Sequence, residues 1–346
     1  MGRVNQQMSR MFSGRNDAAP GGRCARSFWS SGTGWFTPGM RPWAWTALLW
    51  LGVLSSPGWL QAQSTTPDAK PPDQVQRGAY LFRATGNCGC HTVPATEKAP
   101  AGPFLAGGRA VHTPFGIYYS TNLTPDPETG LGRWREEDFL RAMMEGVSPT
   151  GQHYFPAFPY TSFTHIHPDD LRAMWAYLRP VPPVRQANRP HGVWPPCSWR
   201  WPLGVWKWLN FRPGEYQPRS DRGESWNRGA YLVQALGHCG ECHSPRDLSG
   251  GLKMKKFLTG GEHLSPKPVV AANLTPDVKT GLGGWSNTDL VWLLQTGFRP
   301  NGNDVQGVML EMIENGYQHL TREDLHAIGE YLLSLPPAPG LSDRKE

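Results

Sequence analysis

Three stretches of this chain occur twice at nearly one spacing. "RGAYL" stands at Arg77–Leu81 and again at Arg228–Leu232, and "NLTPDPETGLGRW" (Asn122–Trp134) matches "NLTPDVKTGLGGW" (Asn273–Trp285), both at an offset of 151 residues. "DDLRAMWAYLRPVPP" (Asp169–Pro183) matches "EDLHAIGEYLLSLPP" (Glu323–Pro337) at an offset of 154. A repeat of this length implies two homologous domains of about 110 residues each. They are expected over residues 73–183 and 225–337, joined by a linker over 184–224 that is rich in Pro, Arg and Trp. The linker is expected to pack across both domains as a strap, although its Trp and Arg content also suits a membrane interface.

Within each copy the residues favour helices separated by long Gly/Pro loops, and no alternating run is long enough to predict a strand. The fold class expected is therefore all-α, in two tandem domains behind a leader. One helix opens each copy on "RGAYL", the first entered after Asp73. A middle helix is predicted over Glu136–Glu145 closing at Gly146, and over Asn287–Thr296 closing at Gly297, because Gly just past the end is an ordinary helix stop. The last helix starts with Thr321 as N-cap and Asp324 three residues on, carries Leu325, Ile328 and Leu332 on one face, and ends before Pro336.

The formal net charge is +6 in 346 residues. Residues 1–62 hold six arginines and one acid, so the remainder sits near +1 and offers no electrostatic case for nucleic-acid binding. "MRPWAWTALLWLGVLSSPGWLQA" (Met40–Ala62) reads as an export signal cut after Ala62, with Met40 as the start and a periplasmic location to follow. An uncleaved anchor is the competing reading, against which the apolar run is short for a span of about 20 residues.

Cysteines fall at 24, 88, 90, 197, 239 and 242. Cys24 lies in the leader and Cys197 stands alone. "HCGECHS" (His238–Ser244) contains C-x-x-C-H, the spacing of covalent haem attachment: one turn presents both sulfurs to the porphyrin edge and brings the imidazole beneath the iron. Cys239 and Cys242 would form the thioethers and His243 would ligate the iron. The competing chemistries are a disulfide, a zinc site or a thioredoxin-like pair. Met309 is the expected opposite ligand, with Met312 its competitor, since Met/His ligation is common in c-type sites and raises the potential.

"NCGCHT" (Asn87–Thr92) is the same signal one residue short. Cys88 aligns with Cys239, Cys90 with Cys242 and His91 with His243, while Glu241 has no counterpart. Cys90 and His91 keep their adjacency, so one thioether and the iron ligand should survive and a second haem c is expected, whether or not Cys88 reaches its vinyl; the competing reading is that this copy has lost its haem. Its opposite ligand is altered: Met309 aligns with Phe158, which cannot bind iron. Nearby donors are His153, His165, His167, Met143 and Met144. The expectation is that His165 or His167 ligates this iron or that it is five-coordinate, and two nitrogen ligands would give a lower potential than at the second haem.

The same motifs, with "TPFGIYYSTNLTPDPETGLGRW", "GQHYFPAFPYTSF" and "PPVRQANRP", resemble the diheme c-type cytochromes that serve as cytochrome subunits of periplasmic alcohol, aldehyde and sugar-acid dehydrogenases. The resemblance runs over residues 73–337. It implies two tandem cytochrome c-like domains that form an electron relay rather than an enzyme, with Met309 in the axial methionine's position. Substrate oxidation would occur on a partner dehydrogenase subunit carrying a flavin or quinone cofactor. Electrons would leave to a quinone, an oxidase or another cytochrome of the respiratory chain. The rival reading is a diheme enzyme acting at an open first iron, peroxidase-like or thiosulfate-dehydrogenase-like; a third is a redox-sensing module without turnover.

Overall fold

In a computed structural model of the chain, residues 72–264 and 268–341 are described, and all of them belong to one compact unit. The expected leader, its cut after Ala62 and Cys24 lie outside the described residues. The helices are α1 (Pro72–Ala84), α2 (Glu136–Glu145), α3 (Tyr160–Phe163), α4 (Pro168–Leu178), α5 (Pro202–Asn210), α6 (Glu224–Tyr231), α7 (Gly240–His243), α8 (Asn287–Thr296), α9 (Val308–Asn315) and α10 (Arg322–Leu333). None of the described helices is long and apolar enough to cross a membrane.

The local stop and start signals act where their chemistry predicts. In α2, Glu136, Glu137 and Asp138 fill the positive first turn, and the chain leaves through Gly146 at φ 62°. In α8 the Ser286 and Asp289 side chains each accept from the other's backbone N–H, and Gly297 ends the helix at φ 78°. Thr321 Oγ1 accepts from Asp324 N at 3.2 Å to cap α10.

"RGAYL" explains how the copies pack. Its glycine marks a helix crossing: a Cβ on Gly78 would lie 2.0 Å from the Ala173 carbonyl oxygen in α4, and one on Gly229 1.9 Å from that of Ala327 in α10. Its arginine pairs within its own copy, Arg77 to Asp170 and Arg228 to Asp324. Its tyrosine reaches the other copy. Tyr80 Oη donates to Asp324 at 2.6 Å and Tyr231 Oη donates to Asp170 at 2.7 Å. The two copies thus exchange reciprocal hydrogen bonds around one continuous core that includes Leu81, Phe82, Leu171 and Met174 from the first and Leu232, Leu236, Leu325 and Ile328 from the second.

The structure adds strands that the sequence pattern did not predict: β1 (Ala110–Thr113), β2 (Gly116–Tyr119), β3 (Gly192–Val193), β4 (Gly261–Leu264) and β5 (Pro268–Ala271). β1, β2 and β3 pair antiparallel in that order, and β4 pairs with β5. At two to four residues they are too short for an alternation to stand out. The architecture remains mainly helical.

Residues between the copies touch both. Lys207 in α5 donates to the carbonyls of Glu145 and Gly146 at the end of α2, at 2.5 and 2.8 Å. From the same helix Trp206 Nε1 donates to the Ser249 carbonyl at 2.8 Å.

Candidate functional site

In the second copy a stretch of π-helix (Leu232–Leu236) and His238, in the left-handed region at φ 38°, deliver the chain into the single turn of α7. Cys242 faces outward on this turn, whereas Glu241 beside it points into the protein. The Glu241 carboxylate accepts from Thr161 Oγ1 at 2.6 Å, Ser162 Oγ at 2.7 Å and Arg246 Nη2 at 2.6 Å. Burial pushes its pKa up, but Arg246 and the two hydroxyls outweigh that and hold it below the usual glutamate value.

His243 Nδ1 sits 2.7 Å from the Ala272 carbonyl oxygen. A carbonyl only accepts, so Nδ1 carries the proton and Nε2 the lone pair, which is the orientation a metal-ligating imidazole needs. Burial pushes the Cys239 thiol up to about 12. Among the described residues no cysteine is in a disulfide, and no group of three or more His, Cys, Asp or Glu is placed to hold a metal ion.

The shortened motif reaches the same end by another backbone path. Asn87 and Cys88 take left-handed conformations at φ 57° and 48°, and this bend absorbs the missing residue upstream of Cys90. His91 Nδ1 then lies 2.7 Å from the Thr121 carbonyl, the repeat equivalent of Ala272. Both carbonyls precede "NLTPD". There the asparagine side chain ties its own loop: Asn122 Oδ1 accepts from the backbone and hydroxyl of Thr124 while its Nδ2 donates to Val184 O. Asn273 does the same with Thr275 and Ala338. The repeated motif therefore fixes the carbonyl that orients each imidazole. Burial lowers the His91 pKa, which favours the neutral ring.

The two motif turns lean on opposite copies. Thr161 and Ser162 of α3 hold Glu241, and the Phe163 ring stands 5.1 Å from that of His238. Reciprocally, α9 covers the first turn: a Cβ on Gly86 would come within 2.3 Å of Met312 Sδ. Arg109 Nη1 donates to Glu311 at 2.5 Å beside it.

Met309, in the first turn of α9, is half-buried against the core; Met312, one turn on, belongs to the contact with the first motif. Phe158 packs among Tyr154, Tyr160 and Phe163 at centroid distances of 5.5, 6.1 and 5.9 Å. His165 and His167 are held toward the linker. His165 Nδ1 is 2.6 Å from the Gly214 carbonyl; His167 Nδ1 is 3.4 Å from Glu215 and its ring stacks on Tyr231 at 4.8 Å. His153 Nδ1 lies 3.1 Å from Lys207 Nζ, Met143 is buried in α2 and Met144 is half-buried.

The chain is 36% identical over 263 residues to a diheme c-type cytochrome of Cereibacter sphaeroides, with 76% of this chain and 86% of that protein aligned. The chain belongs to the family of diheme c-type cytochromes. This cytochrome is also 39% identical over 271 residues to a gluconate 2-dehydrogenase cytochrome c subunit of Pantoea cypripedii, covering 75% of the chain and 59% of the relative. It is 36% identical over 301 residues to a fructose dehydrogenase cytochrome subunit of Gluconobacter japonicus, covering 86% and 60%. The cytochrome thus spans only part of the length of several curated relatives that it matches. No family model matches it. What sequence reasoning missed in this cytochrome are the carbonyls of Thr121 and Ala272 and the anchoring of Glu241. The repeated "NLTPD" directly after each carbonyl was the available signal.

Proposed function

We propose that this cytochrome relays electrons from a dehydrogenase catalytic subunit to the respiratory chain and does not itself turn over substrate. The observation that carries the reading is the duplicated imidazole geometry, Nδ1 bonded to a backbone carbonyl at 2.7 Å in both copies, each beside a cysteine pair. Relatives named as cytochrome c subunits of dehydrogenases support a relay over a peroxidase-like or thiosulfate-dehydrogenase-like enzyme.

Bound haem supplies a one-electron iron couple. The chain's own residues do the rest. Cys239 and Cys242 would attach the second group and Cys90, with Cys88, the first. His243 and His91 would each ligate one iron through Nε2, and Met309 would supply the second protein ligand at the second site. At the first site Phe158 stands in the methionine's place, so that iron would have His91 as its one protein ligand or would add His165 or His167; the visible spectra of His165→Ala and His167→Ala decide. We further propose two tandem domains, 73–183 and 225–337, joined by 184–224. The leader exports the chain to the periplasm. A catalytic subunit with a flavin or quinone cofactor donates electrons, and a quinone, an oxidase or another cytochrome accepts them.

Mass spectrometry of the mature protein is the test. The expected result is two covalent haem additions that survive acidified acetone, one of them lost in Cys239→Ser/Cys242→Ser. Loss of all pigment in acidified acetone would overturn the reading.

A further inference from the structure

The helix α5 is inside out. Leu203 and Lys207, four residues apart, face the protein and are buried, whereas Trp201, Val205, Trp208 and Leu209 form the opposite stripe at helical spacing and face solvent. Trp201 is 75% and Trp208 76% exposed. The lysine has a structural reason to point inward, since its ammonium caps the C-terminal carbonyls of α2. That demand fixes the rotation of α5 and turns its apolar face outward. Trp194 and Trp199, both at least half exposed, extend the patch upstream, with the Trp199 and Trp201 rings stacked at 6.4 Å.

Charge selects the occupant. From Trp194 to Gly214 the chain contains no aspartate or glutamate. Exposed Arg212 stands at the C-terminal end of α5, its Nη1 donating to the carbonyls of Trp208 and Phe211 at 3.1 and 3.0 Å. Tryptophan flanked by arginine and free of acids is the chemistry of a helix lying in the headgroup region of a bilayer, where indole sits at the water boundary and cations meet anionic phosphates. A stripe one helical face wide suits lying on the surface rather than spanning it. We infer that α5 and the preceding loop from Trp194 form a docking surface for an anionic phospholipid bilayer. The inference does not depend on how many haems the chain carries or how they are ligated.

The test is sedimentation of the full-length protein with vesicles of phosphatidylcholine containing phosphatidylglycerol, and with phosphatidylcholine alone. The wild type should sediment with the mixed vesicles and less with the neutral ones. Trp201→Ser/Trp208→Ser should lower vesicle binding by roughly tenfold or more, with haem absorbance and circular dichroism unchanged because both positions face solvent. Three results would overturn the inference: a wild type that stays in the supernatant, a variant that sediments like the wild type, or a variant that binds vesicles normally but is no longer reduced by its dehydrogenase subunit. The last would reassign the patch to a protein partner. Haem content measured on the same samples reports separately on the relay reading.

Discussion

Glu241 is the residue by which the two motifs differ, and its surroundings explain what the longer motif gains. A buried carboxylate with three donors is stable only while they remain. Replacing Ser162 and Thr161 by Ala and Val should lower the unfolding free energy by about 1–3 kcal/mol, read from urea midpoints, because the remaining charge is left underpaired. Acid should act through Asp324. Its burial raises its pKa, but hydrogen bonds from Arg228 and Tyr80 outweigh that and hold it below the usual aspartate value. A depressed carboxylate contributes stability above its unfolded pKa of about 3.9 and loses it as pH falls through the folded value. The urea midpoint of the wild type should therefore fall on acidification below about pH 4, and that of Asp324→Asn should fall less. The cysteine–histidine adjacency was legible in the sequence because it is covalently local. The carbonyl partners of His91 and His243 were not, because they lie about 30 residues downstream and a carbonyl has no side-chain letter to read.

At the level of elements, what was legible is what the chain decides within a turn or two. The ends of α2 and α8 at Gly146 and Gly297, and the cap of α10 at Thr321, follow from local hydrogen bonding and backbone freedom. The hairpins and the π-helical entry to α7 depend on distant neighbours and left no local periodicity. "RGAYL" was visible as a repeat, but its glycine has meaning only at the crossing of α1 with α4 and of α6 with α10. Gly229→Ala would drive a methyl into the Ala327 carbonyl, which is backbone and cannot turn aside. The expected cost is about 1–3 kcal/mol or more, read as a lowered Tm. Gly284→Ala, where a Cβ meets nothing within 4 Å, should stay within about 0.5 kcal/mol.

For the molecule as a whole, the repeat implied two bodies, while the contacts show that the copies also bind one another. The same tyrosine of the same motif crosses in both directions, Tyr80 to Asp324 and Tyr231 to Asp170. Tyr80→Phe and Tyr231→Phe should each cost about 1 kcal/mol. The double variant should show broader thermal unfolding than either single one, as the copies lose their common transition. No sequence pattern could announce this, since the partner of each hydroxyl lies in the other copy and only the packed chain brings them together. The helix α9 carries the point further. It keeps Met309 half-buried against the core and rests Met312 on the first motif, so damage at a single sulfur is not confined to one address. Sulfoxidation of Met312, which makes a pliable side chain polar and bulky, would press on the turn that holds Cys88, and an ageing lesion in the second copy would be felt first in the first.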